Sequence, residues 1–235
     1  MEILVIHEEP DFAVINKPAG ISMHAGPAVI GETIADWVRK HYPETASVGD
    51  EPNVRPGIVH RLDKDTSGVI VVARSQDAFL ALKNIFKSRT AEKTYVALVS
   101  GNPKLDHGVI DEPIGRLVRN RTKRGVGKGI TAERPAVTEW KIKERLNGFA
   151  LIEAKPKTGR MHQIRVHLAS IGLPIAGDKV YGGGRKAPEG LTRQFLHASQ
   201  LSFSYPEGRR WQFESALPHD LSQILASLRT LRRNT

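Results

Sequence analysis

The stretch HRLDKDTSG, residues 60–68, sets Asp63 among basic side chains, two positions before a second acid, Asp65, and just ahead of the apolar run VIVVA. A carboxylate so placed could ligate a metal, accept a phosphoryl group, attack carbon as a nucleophile, or simply close a turn. Asp63-x-Asp65-x-Ser67-Gly68 matches the first half of a calcium loop, but the twelfth position is Arg74, where a bidentate Glu belongs. A magnesium-dependent phosphotransferase would carry its aspartate after a strand and not before one, and would need further acids. The later segment GDKVY, residues 177–181, supplies only Asp178. Gly125-x-Gly127-x-Gly129 lacks the two-residue gap of a dinucleotide loop, and no glycine-lysine-serine or glycine-lysine-threonine cradle exists. His162 and His167 stand five apart and do not share a helix face as a zinc pair would, so ordinary polar roles are expected for them.

The chain has 235 residues, 40% of them hydrophobic, which is ample for a packed core. Its 35 Lys and Arg outweigh 25 Asp and Glu, and the formal charge of +10 favours a polyanionic partner, nucleic acid foremost. The lack of cysteine excludes disulfides, thiolate zinc sites and Cys nucleophiles, and fits a cytoplasmic protein. No basic stretch leads into a long apolar one at the start, and no apolar run reaches membrane length, so a chain without export or membrane insertion is expected.

Asp63 must be positioned by the elements around it. The run Val69 to Ala73 reads as a buried strand, so Asp63 sits on a loop entering the core. Ser75 to Arg89 follows as an amphipathic helix with Phe79, Leu82, Ile85 and Phe86 on one side. Ahead of the loop, Ile3 to Ile6 and Phe12 to Ile15 read as strands joined by a tight connection at Glu8 to Asp11, and Ile34, Trp37, Val38 and His41 recur at helical spacing. Lys93 to Val99, Thr138 to Ile142 and Phe149 to Ala154 read as further strands. Met161, Ile164, Leu168 and Ile171 mark a helix ended by Gly172 and Pro174, with Arg165 beside its apolar stripe. Short β-like runs lie at Phe195 to Leu196, Leu201 to Tyr205 and Trp211 to Phe213, before a last helix carrying Leu221, Ile224, Leu225, Leu228 and Leu231. The expected architecture is one α+β domain over residues 1–235, with a mixed, largely antiparallel sheet flanked by helices and loops.

The segment from Arg116 to Lys128 differs in being basic, glycine-spaced and nearly free of core residues. It is expected to be an exposed, mobile loop, either a solvated tip or an RNA-backbone contact through Arg121, Lys123 and Arg124.

His60-Arg61-Leu62-Asp63-x-x-Thr66-Ser67-Gly68 resembles the signature of the RluA-type pseudouridine synthases, which include the RluD-type enzymes. Three further segments are similar in the same order: VINKPAGISMH (14–24), EKTYVALVSG (92–101), and KTGRMHQIRVHL (157–168) followed by PIAGDKVYG (174–182). The resemblance implies isomerisation of uridine in structured RNA, large-subunit ribosomal RNA ahead of transfer RNA, without metal or organic cofactor. It carries the catalytic aspartate onto Asp63, which attacks either the ribose anomeric carbon or C6 of the base. Arg165 becomes the arginine paired with that carboxylate, and its planar fork suits the task better than a lysine would. Tyr95 becomes the tyrosine set against the base, stacking on it and assisting proton removal at C5. The uridine must be flipped out of its stack, with Arg61 taking part in the exchange. His60 and Leu62 are then pocket walls, Lys17 and Arg160 phosphate contacts, and Gly68 a point of close backbone packing. No catalytic role falls on Asp65 or on Asp178, which suits a turn cap.

Some relatives carry a small S4-type RNA-binding domain ahead of the catalytic one, and no such domain is expected here because Met1 stands just before the first strand. A cytoplasmic monomer that binds RNA and no membrane is expected. The competing expectation is an RNA-binding or ribosome-assembly protein whose catalytic residues are unused.

Overall fold

The computed structural model describes residues 3–26, 29–120, 122–206 and 208–233, so Arg121 lies outside the described residues. In chain order these form β1 (Leu4–Glu8), β2 (Phe12–Lys17), α1 (Ile34–His41), β3 (Ser67–Ala73), α2 (Gln76–Lys87), β4 (Glu92–Ser100), β5 (His107–Asp111) and β6 (Ile114–Leu117). There follow β7 (Arg124–Gly125), β8 (Ile130–Arg134), β9 (Val137–Leu146), β10 (Phe149–Pro156), α3 (Gln163–Ser170), β11 (Leu196–Ser204), β12 (Arg210–Glu214) and α4 (His219–Arg233). The chain divides into two compact units, one of Met1–Glu92 and Ala198–Ser215, the other of Lys93–His197 and Ala216–Thr235.

In the first unit the strands run β1-β2-β3-β11, with β12 on the far side of β11. β2 and β3 pair antiparallel from Phe12↔Ala73 to Lys17↔Gly68, and all seven residues of β3 are buried, as its unbroken apolar run requires. Phe12, Val14, Val69 and Val71 pack with Phe79 and Leu82 of α2 and with Leu201, Phe203 and Phe213. Each such side chain contributes about 1.5–3 kcal/mol on burial. The Ser75 hydroxyl caps α2 by accepting from the Ala78 amide, and Thr33 with Asp36 forms a reciprocal capping box on α1. At Gly68, where φ is +126°, an added Cβ would run into the backbone of Ala198, so β3 and β11 can approach only over a glycine. β11 is one strand where the sequence suggests two runs, because Ala198 to Gln200 continue the ladder between them.

In the second unit β4, β10, β9 and β5 form an antiparallel sheet. Its period-two alternation sorts the side chains. Ala97, Val99, Ala150 and Ile152 share a core with Ile164 and Leu168 of α3, while Leu98, Leu146 and Leu151 pack with Leu221, Ile224, Leu225 and Leu228 of α4. A separate small sheet, ordered β7-β6-β8, is made by the basic segment expected to be a mobile loop. Packing accounts for Gly125, where an added Cβ would come within 2.7 Å of the Leu117 side chain, whereas Gly127 and Gly129 sit in open space at positive φ. Ile114 and Val126 anchor it to Val166 of α3 and to Tyr181, a core too thin to show in hydropathy. Among the described residues no helix is long and apolar enough to cross a membrane.

Candidate active site

Asp63 opens a tight turn, its carbonyl accepting from the Thr66 amide at 3.1 Å, and its side chain is half-buried. The turn is clamped from the 17–20 segment. Lys17, 0% exposed at the end of β2, donates from its Nζ to the carbonyls of Pro18 (2.8 Å), Lys64 (2.9 Å) and Thr66 (3.0 Å), and the Gly20 amide donates to Lys64 O at 2.9 Å. An ammonium has three N–H donors, and these carbonyls can take one each, which offsets the cost of burying the amine. Lys17 therefore holds the Asp63 turn from inside, a different role from the phosphate contact expected of it. The segments NKPAG and HRLDKDTSG are thus joined by the Lys17 ammonium and the Gly20 amide.

His60 is also part of the frame. Its Nε2 accepts from the Val71 amide at 3.0 Å, and its ring stacks on Phe86 of α2 at 4.3 Å between centroids. Leu62 is buried and Arg61 is exposed, so within three consecutive residues one side chain braces the loop, one faces solvent and one faces inward.

The second unit holds Tyr95, Arg160, Arg165, Lys123 and Arg124. Arg165, buried on α3, forms a two-pronged ion pair with Asp178: Nε to Oδ2 at 2.7 Å and Nη2 to Oδ1 at 2.9 Å. Burial pushes the Asp178 carboxyl up, but the hydrogen bonds and charge of Arg165, with the amides of Tyr181 and Val180, outweigh it and hold the group below the ordinary carboxylate range. The two amide bonds, from Val180 at 2.8 Å and Tyr181 at 3.0 Å, make Asp178 the turn cap expected of it; its ion pair with Arg165 is additional.

α3 begins without a side-chain cap and is held instead by a buried polar network. The Gln163 amide accepts from Thr158 Oγ1 (2.6 Å) and the Arg160 amide (2.9 Å), and donates to Val137 O (2.9 Å) and Thr138 Oγ1 (3.0 Å). His167, fully buried, meets Thr138 Oγ1 through Nδ1 at 2.9 Å and Glu112 O through Nε2 at 3.0 Å, and burial lowers its affinity for a proton. The carbonyl can only accept, so Nε2 carries the hydrogen, and burial favours the neutral ring, whose Nδ1 can accept from the Thr138 hydroxyl. Arg160 bonds through Nε to Pro135 O at 3.1 Å, a brace on the loop before β9. Tyr95, half-buried on β4 opposite Ala154, borders the α3 core.

Lys123 and Arg124 are half-buried on the small sheet. The Arg124 amide donates to Tyr181 Oη at 3.0 Å. Among the described residues no group of three or more His, Asp or Glu side chains is disposed to hold a metal ion.

A family model described as RNA pseudouridylate synthase matches residues 11–170. The chain is 43% identical to an uncharacterized RNA pseudouridine synthase of Chloroflexus aurantiacus, across 91% of this chain and 65% of that one. It is 39% identical to the ribosomal large subunit pseudouridine synthase D of Nitrosomonas europaea, across 97% of this chain and again 65% of the relative. The chain thus spans just under two thirds of the length of both. The human RNA pseudouridylate synthase domain containing 4 superposes with a TM-score of 0.73 at 28% identity, covering 96% of this chain and 92% of that one.

Proposed function

Because this chain belongs to the RNA pseudouridylate synthase family, we propose that it isomerises uridine to pseudouridine in large-subunit ribosomal RNA, with Asp63 as nucleophile and residues 1–235 acting as one catalytic domain. Asp63 attacks the flipped-out nucleotide, at the ribose anomeric carbon or at C6 of the base. The N1–C1′ bond breaks, a C5–C1′ bond forms, the bond to the Asp63 carboxylate is released, and the proton lost from C5 is matched by one taken up at N1. Both routes begin from the same ionised, positioned carboxylate. Arg165 favours that ionised form, Tyr95 stacks on the base and assists removal of the C5 proton, and Arg61 fills the place the base has left. Lys123 and Arg124 meet phosphates. The enzyme works as a cytoplasmic monomer with neither metal nor organic cofactor.

The observation that carries this reading is the Asp63 turn. A half-buried carboxylate sits on a loop whose backbone is tied by a fully buried lysine, which is far more construction than a solvated turn needs. Catalysis by a fixed acid needs that rigidity, since a small displacement of the attacking oxygen is costly in rate.

The test is release of tritium from RNA carrying 5-tritiated uridine, run in EDTA. Wild type releases label and Asp63→Asn releases none while still binding RNA. Identical pseudouridine maps from cells carrying either version would end the proposal in favour of a binding protein.

A further inference from the structure

Tyr181, in the segment GDKVYG, touches four things at once. Its amide donates to Asp178 Oδ1 at 3.0 Å, and its ring lies under the Arg165 guanidinium, 5.1 Å from Cζ to centroid. Its hydroxyl accepts from the Arg124 amide at 3.0 Å and stands 2.8 Å from His162 Nδ1. His162 is the residue just ahead of α3, held at φ +58°, a left-handed conformation that a non-glycine residue adopts only when its surroundings fix it. Tyr181 therefore bears on Arg165 by three routes: its ring lies against the guanidinium, its backbone amide caps the acidic partner Asp178, and its hydroxyl meets His162 at the start of the helix that carries Arg165. The same side chain is fastened to β7 of the basic sheet.

We infer that Tyr181 is a positioning residue that couples the small basic sheet to Arg165, so that RNA seated on β6 to β8 orients the guanidinium. The inference rests on the reading above, in which the sheet meets RNA and Arg165 serves the reaction. Its physical content is local. The Arg124 amide can be satisfied by the Tyr181 hydroxyl only in one placement of β7, and that placement also fixes the ring beneath Arg165. A shift of the sheet toward a phosphate backbone moves the hydroxyl, and the rigid ring transmits the shift without a rotamer change. A cation over an aromatic face is held by the ring's electrostatic attraction, which biases which way a guanidinium points. Val126, packed beside Tyr181 and Val166, gives the sheet a second grip on the same helix.

Tyr181→Phe tests this, since it keeps the ring and removes only the hydroxyl. Two tritiated substrates are used: a long large-subunit RNA fragment that can lie on the sheet, and the shortest stem-loop from it that wild type still converts. Coupling makes the variant lose about tenfold more single-turnover rate on the long RNA than on the stem-loop, the scale of one net hydrogen bond. An equal loss on both substrates, or none on either, overturns the inference and leaves Tyr181 a packing residue. A second arm needs no turnover: the Arg165 Nε–H resonance, assigned by its disappearance in Arg165→Lys, shifts when long RNA is added to wild type and stays in place in Tyr181→Phe. The same shift in both proteins overturns the coupling. Absence of tritium release from wild type on every RNA would instead overturn the synthase reading, while the resonance would still report whether the sheet and Arg165 communicate.

Discussion

Arg165 and Asp178 form a buried two-pronged ion pair whose carboxylate is also capped by two backbone amides. Removing one charge from such a pair takes compensation from the other in a poorly solvated place. Asp178→Asn is expected to cost roughly 3–5 kcal/mol of stability, because the guanidinium loses the charge of its two-pronged partner while the amide caps can survive on the Asn oxygen. Urea denaturation gives the number. A loss under about 1 kcal/mol would mean that Arg165 finds equal compensation elsewhere.

Lys17→Met keeps the length and apolar stem of the side chain and takes away its donors. The carbonyls of Lys64 and Thr66 then lose their bonds to it, so a destabilisation of at least about 2 kcal/mol is expected. Tritium release should fall further than stability explains, even at temperatures where the variant is fully folded, because the Asp63 turn loosens. Full activity in a folded Lys17→Met would show that the turn holds its shape unaided.

His167 sets an early acid limb. Its folded-state proton affinity is depressed from the ordinary value of 6.5 by burial, so on acidification the unfolded chain takes up a proton that the folded protein refuses. The unfolded state binds more protons, and stability falls as pH drops through about 6.5. Asp178 acts later: with its folded value depressed below 3.8, its contribution is complete above that ordinary value and disappears only as pH falls through the lower folded one. Urea midpoints followed from about pH 8 to pH 5 should decline in wild type and decline less in His167→Gln. Parallel curves would show that His167 titrates as it does in the unfolded chain.

The small sheet is expected to meet phosphates. Replacing Arg121, Lys123 and Arg124 together by alanine should flatten the slope of log affinity against log salt by about 0.7–0.9 per lost contact. Affinity should fall alike for unrelated RNAs, since phosphate contacts carry no sequence. An unchanged slope would make these side chains a solvated surface only.

Much of the frame around Asp63 could be read directly. β3 is an apolar run too continuous to be anything but a buried strand, α2 carries its apolar side chains on one face behind a serine cap, and α1 begins at a threonine. Residue type and place left several uses open for Asp63, and only the resemblance of residues 60–68 to a family signature singled it out. Lys17 was not legible as a buried residue, since a lysine reads as exposed by type. The clue was its place at the end of FAVIN, a run in which four of five residues are buried. The small sheet escaped notice for the opposite reason. Its strands are short and polar, and they are held by single contacts such as Ile114 to Val166 and by the hydroxyl of Tyr181, none of which leaves a periodic trace. The partnership of Arg165 with Asp178 was likewise invisible, because it depends on how the turn after α3 folds back.

Gly68 leans on Ala198, a residue made only when most of the polypeptide has already left the ribosome. During synthesis the strand behind Asp63 must wait, one edge unpaired, while the whole of the intervening segment is translated. Until that partner is made the strand keeps one edge open to unwanted pairing, although the turn at Asp63 can already be tied by Lys17 and Gly20, which are translated before it.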